Sequence, residues 1–399
     1  MMRSEEVKYL FLILVIFIAA CIETDIYLPA FPDMMAYFGA SEGAIQGLLT
    51  WNFAGVCLAG PLYGPLSDAF GRKKPLLIAL GMFLFGSLIT VVAQNLDQML
   101  IGRVLQGLGS GGCFTLGTAI IFDAFQKEKA IAAINNLNTT IPLVMAAAPL
   151  IGGLLNQAFG FRSNFLAIAI FVFLSLAICL WAFKETLPAE KRTAFQLKKM
   201  SADFKRAFRS LPFWQLTAVS SLTFAGYITF LSGTSILFVV EFGMSQSIFP
   251  FLQATILGGW VAASLVLSRA IRKWGIAKIK QWGTYLCTIG GGVLLLTTFI
   301  TPRDPYFLTA GMVLYAFGAN WIVGIYFPES MELLPDIKGI TASLLTSARL
   351  LISALVVGLS GFIYNGTIYP LSAVVLASIV LILPILYSYE RRKAVAFSI

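Results

Sequence analysis

Long apolar runs separated by short polar breaks dominate the chain. Runs of spanning length fall at about 8–36, 43–66, 75–94, 98–122, 131–155, 163–184, 212–240, 248–269, 281–301, 305–328, 340–363 and 369–389. Each approaches or exceeds the roughly 20 residues a helix needs to cross bilayer hydrocarbon. The pattern predicts twelve transmembrane helices. It lacks the short alternating segments of a membrane β-barrel. The longest polar stretch, ETLPAEKRTAFQLKKMSADFKRAFRS (185–210), separates six runs from six. The expected architecture is all-α and integral to the membrane, with bundles at 1–184 and 212–399 and a cytoplasmic linker at 185–211.

Sidedness follows from Lys and Arg. With the N-terminus placed inside, only Arg162 and Arg303 fall outside. Arg103 and Arg349 lie within runs, and every other Lys or Arg is on the inner side. Both termini are therefore expected in the cytoplasm, and the protein in a bacterial inner membrane. The basic linker reads equally as a helix on the inner leaflet or as a solvated connector.

Composition agrees. Hydrophobic residues make up 58% and charged residues 12%, against roughly 25% charged in soluble domains, and the mean hydropathy is +0.85. The net charge of +9 could suit nucleic acid, but its one-sided placement assigns it to topology, so no nucleic-acid partner is expected. The absence of histidine removes His triads, imidazole metal sites and the usual pH switch. No cofactor or metal is expected, and proton chemistry must fall on carboxylates. Cys21, Cys57, Cys113, Cys179 and Cys287 sit in apolar runs without a CxxC and read as small buried hydrophobes. The stretch ending at Cys21 also looks like a lipoprotein processing site, but cleavage there would delete the first of an even set of spans. Neither a nucleophile–base set nor a GxxxxGK[ST] loop nor a pore filter is visible, which argues against an enzyme, an ATP-driven pump or a channel.

Four stretches carry chemistry. In AACIETDIYLPAFPD (19–33), Glu23 and Asp25 interrupt an apolar run. Carboxylates inside a bilayer mark functional sites. About 200° apart on a helix, they cannot both face one cavity. GPLSDAFGRKKPLLI (64–78) combines Gly64 and Gly71, suited to close helix approach and a tight loop, with Asp68, Arg72 and Lys73. RVLQGLGSGG (103–112) places Arg103, Gln106 and Gly107 inside a span, and APLIGG (148–153) brings Pro149, Gly152 and Gly153. A faint echo of Leu66-Ser67-Asp68 recurs half a chain later as Leu267-Ser268-Arg269.

Together these stretches resemble the major facilitator superfamily. The second resembles its signature loop, the third its Arg-x-x-Gln-Gly element and the fourth the end of its antiporter motif. The phrase TDIYLPAFP is similar to the first helix of drug:proton antiporters of the bicyclomycin/chloramphenicol-resistance type. The matches cover spans one to five; the second half matches in span count and general pattern. The resemblance implies two pseudo-symmetric six-helix bundles rocking about a central site. It implies Asp25 as the proton- and substrate-coupling acid, tuned by Arg103. It also implies the loop roles of Asp68 and Arg72 in a conformational latch that includes Gly64, Gly71 and Lys73; Asp123, at the inner end of the fourth run, is the candidate for its second acid, or else a surface carboxylate.

Glu23 is extra to that pattern and remains a second candidate for proton carrier, either pairing with a neighbouring helix or staying protonated. Arg349, near mid-depth of the eleventh run, departs too; a central cation calls for Glu23, Asp25 or the substrate. Asn52, Gln106, Asn138, Tyr227 and Asn320 are expected to line the cavity, with Trp51 and Trp321. The expected function is proton-coupled export of small organic molecules by a monomer whose partners are substrate, protons and the bilayer. The alternative is export of an anionic metabolite, such as a polycarboxylate siderophore, held by Arg349.

Overall fold

The computed structural model describes residues 4–125, 144, 147–192, 197–300, 303–334 and 337–397. Apolar runs in a bilayer must satisfy their backbone internally, and the helix does this within one segment. The first run nevertheless breaks. Helix α1 (Ser4–Asp25) ends at Asp25, a 3-10 turn covers Leu28–Ala30, and α2 (Phe31–Phe38) follows. Pro29 and Pro32 lack backbone donors, so each sits in the first turn of a new helix.

The chain continues through α3 (Glu42–Phe70), α4 (Lys73–Val92), α5 (Leu96–Ala124), α6 (147–159) and α7 (Arg162–Ala182). After the linker helix α8 (Leu197–Arg209) come α9 (Leu211–Ser235), α10 (Phe249–Trp274), α11 (Ile276–Ile300), α12 (Pro305–Glu332), α13 (Lys338–Ile363) and α14 (Ile368–Phe397). Among the described residues, ten stretches are long and apolar enough to cross a membrane. The 29-residue α3 is not among them, because Gln46, Asn52 and Pro61 lower its hydropathy. Of the fifth expected span only α6 and the preceding residue 144 are described; Asn138 lies outside the described residues.

The chain forms two compact units, Met1–Leu197 and Lys198–Ile399. In the first, α3 and α5 approach so closely that a Cβ on Gly107 would overlap the Asn52 carbonyl, and one on Gly55 the Val104 carbonyl. Small residues at such crossings let membrane helices pack backbone to backbone. Arg162 closes the end of α4, donating to the carbonyls of Val91 at 3.2 Å and Ala93 at 2.7 Å.

In the second unit α9 is buried along most of its length and passes into a π-helical turn at Ile236–Glu241. Tyr315 pins α12 to it by donating to the Thr223 carbonyl at 3.0 Å. The Trp321 indole, expected in a cavity, donates to the Ala263 carbonyl at 3.2 Å. Neither sequence reading of the linker describes α8 fully. Its Phe204 and Ala207 pack with Phe213, Leu334, Leu344 and Leu345, while Lys205, Arg206 and Arg209 stay exposed.

Candidate functional site

Glu23 and Asp25 have separate surroundings. Glu23 turns toward α5, where its Oε2 lies 2.6 Å from Arg103 Nη1, with both side chains essentially inaccessible. Asn52 of α3 donates to Glu23 Oε1 at 3.0 Å, and Ser110 adds a third donor at 3.0 Å. Arg103 also donates to Gln106 Oε1 at 2.7 Å and to the Tyr27 hydroxyl at 3.1 Å, and stands over the Tyr27 ring at 4.4 Å. Gln106 in turn donates to Ser87 at 3.0 Å. A buried ion pair survives only when hydrogen bonds satisfy its remaining atoms, and here α3, α5 and the turn that carries Tyr27 supply them. Arg103, expected to tune Asp25, is held by Glu23. Asn52 and Gln106, expected to line a cavity, are bound into this cluster. Ser110, Tyr27 and Ser87 were not anticipated, although Ser110 follows Arg103, Gln106 and Gly107 at helical spacing on one face.

Asp25, two residues on, is also 1% exposed. Its Oδ2 has no hydrogen-bond partner among the described residues. It ends α1, and the next residue, Ile26, presents its carbonyl to α6, where a Cβ on Gly152 would overlap it. Pro149 is buried and Gly153 half-buried on the same helix. Gly152 is thus a point of close backbone approach between α6 and the bend.

The signature loop forms a charged corner. Arg72 donates through Nη1 to Asp68 at 2.6 Å and Ser67 at 2.5 Å, and through Nε to Asp123 at 2.7 Å. Glu185, which sequence reasoning missed at the start of the linker, accepts the backbone N–H of Arg72 at 2.8 Å and of Lys73 at 3.2 Å. Burial pushes the Glu185 carboxyl up, but the N–H groups of Leu187, Arg72, Lys73 and Thr186 outweigh it and hold the carboxyl below the usual range. Gly71 turns the corner at φ +87°, and a Cβ there would lie 2.5 Å from Glu185 Oε2. At Gly64, by contrast, a Cβ would meet nothing within 4 Å among the described residues.

In the second unit, Arg349 is half-buried, with its guanidinium 4.9 Å from the Phe224 ring and 5.3 Å from the Phe327 ring. No described carboxylate of its own unit pairs with it, and its Nε has no partner among the described residues. Tyr227 is buried and stacked on Trp260 at 4.7 Å. Asn320 is buried, with its Oδ1 unpartnered among the described residues. Trp51 is about half exposed.

Residues 13–357 match the family model of the Major Facilitator Superfamily. The chain is 26% identical over 391 residues to the uncharacterized MFS-type transporter YdgK of Bacillus subtilis, covering 95% of this chain and 94% of that one. It is 28% identical over 324 residues to a chloramphenicol resistance protein of Pseudomonas aeruginosa, covering 79% of this chain and 73% of the relative. A bacterial homolog of the human lysosomal transporter Spinster shares the fold, with a TM-score of 0.75 at 17% identity over 98% of this chain and 97% of that one. Given the match along most of its length and the shared helical fold, the chain belongs to the Major Facilitator Superfamily.

Proposed function

We propose that this transporter exports lipophilic or cationic small molecules in exchange for protons, with Asp25 as the exchange acid. The observation that carries the reading is the contrast between two neighbouring carboxylates. Glu23 is saturated by Arg103, Asn52 and Ser110, whereas Asp25 is as deeply buried with an oxygen lacking any described partner. An acid locked into an ion pair cannot cycle; one without a fixed partner can trade a proton for a ligand. A relative named for chloramphenicol resistance supports the substrate class.

In this reading twelve spans form two six-helix bundles in a bacterial inner membrane, with both termini cytoplasmic and the protein working as a monomer. The bundles alternate access to one site. Each ligand shifts that balance only through its differential affinity for the two states. The corner of Asp68, Gly71, Arg72, Lys73 and Asp123 serves as the latch, joined by Glu185. Arg349 supports a second reading, export of an anionic metabolite, because its guanidinium has two aromatic neighbours and, among the described residues, no acid from its own unit.

The test uses proteoliposomes containing a pH dye. Ethidium or chloramphenicol should move protons in wild type and not in Asp25→Asn, while Glu23→Gln loses stability rather than coupling alone. If citrate drives the signal instead, and Arg349→Gln ends it, the anion reading replaces the first.

A further inference from the structure

Asp33 stands in the first turn of α2, beyond the bend that follows Asp25. Across from it, α6 carries Gly152 against the Ile26 carbonyl and Asn156 one turn further along the same face, about 6 Å away. Asn156 Nδ2 donates to Asp33 Oδ2 at 2.5 Å. Asn156 is 6% exposed, and its Oδ1 has no partner among the described residues.

Two more buried amides belong to this end of the unit. Gln46 of α3 precedes by two residues Leu48, whose carbonyl accepts from Arg103 Nε at 3.4 Å. Asn164 of α7 adjoins Phe165, whose ring lies 5.4 Å from that of Tyr27. Both amide atoms of Gln46 and of Asn164 are buried without described partners. Each such atom bears its full desolvation penalty unless something satisfies it, and ordered water is the partner that fits a polar, enclosed site. Two charged groups of this unit are held elsewhere: Glu23 by Arg103, and Arg162 by two carbonyls.

We propose that Asp33, positioned by Asn156, is an outer relay that passes protons between external water and Asp25. This rests on reading Asp25 as the exchange acid. A hydronium ion protonates the Asp33 carboxylate. That carboxyl then gives its proton, through water held by the amides, to the Asp25 carboxylate, and Asp33 returns to its ionised form. One proton moves, and no other bond changes.

Proteoliposome transport of ethidium tests it. Asp33→Asn should slow proton-driven ethidium transport about tenfold or more. Ethidium counterflow, which needs no proton step, should stay within about twofold of wild type, since substrate still binds and the carrier still turns. Asp33→Glu should restore most of the proton-driven rate, and Asn156→Leu should slow it with counterflow intact. The relay is overturned if Asp33→Asn matches wild type while Asp25→Asn abolishes proton drive, or if Asp33→Asn depresses counterflow equally. Proton-driven transport persisting in Asp25→Asn would instead defeat the exchange-acid reading beneath it.

Discussion

Glu23 Oε2 and Arg103 Nη1 lie 2.6 Å apart with 1% and 0% of their side chains exposed. Removing one partner of a buried pair leaves an uncompensated charge and costs about 3–5 kcal/mol. Glu23→Gln or Arg103→Gln should therefore lower the thermal unfolding temperature of purified protein sharply. The double variant should recover part of that loss, because neither charge is stranded. Strict additivity of the two losses would mean that the pair is not a unit.

Asp25→Asn should behave oppositely. No described hydrogen bond to Asp25 Oδ2 is lost, so thermal unfolding should stay within about 1 kcal/mol of wild type while proton coupling disappears.

Gly71 holds φ +87° beside Glu185. Gly71→Ala introduces both a strained backbone and a Cβ against the carboxylate, and should destabilise the protein by roughly 1–3 kcal/mol. Gly64→Ala, with nothing within 4 Å, should fall within about 0.5 kcal/mol of wild type. Side-by-side unfolding of the two variants separates the glycines of one motif.

Glu185 gives a pH dependence. Its folded carboxyl lies below its unfolded value of about 4.3. Its contribution to stability is thus complete above that value and lost as pH falls through the lower folded one. Wild type should be more stable than Glu185→Gln at pH 7, and the gap should close as unfolding is repeated at steps below about pH 4.3.

Gly152 meets the Ile26 carbonyl with no room for a side chain. Gly152→Val should separate α6 from the bend after Asp25. Overpacking of this kind costs about 1–3 kcal/mol, and proton-driven transport should fall with stability. A variant that transports normally would show that the bend tolerates displacement.

By itself the sequence determined the class, the helical runs, the charge asymmetry and the charged loop at 64–78. These are local properties: a span is set by consecutive apolar residues, and the Arg72–Asp68 pair joins residues four apart. Arg103, Gln106 and Ser110 were likewise readable as one helix face. Only tertiary structure decided which acid Arg103 holds, because Glu23 and Arg103 come from helices far apart in sequence and their pairing depends on rotation and depth. The same holds for Glu185 beneath the Gly71 turn, Asn156 against Asp33, and α8 packed on Phe213, Leu334, Leu344 and Leu345. A hydrophobicity pattern fixes that helices form and which residues share a face, whereas partners across helices follow from close packing, where a missing Cβ at Gly107 or Gly152 sets how near two backbones come.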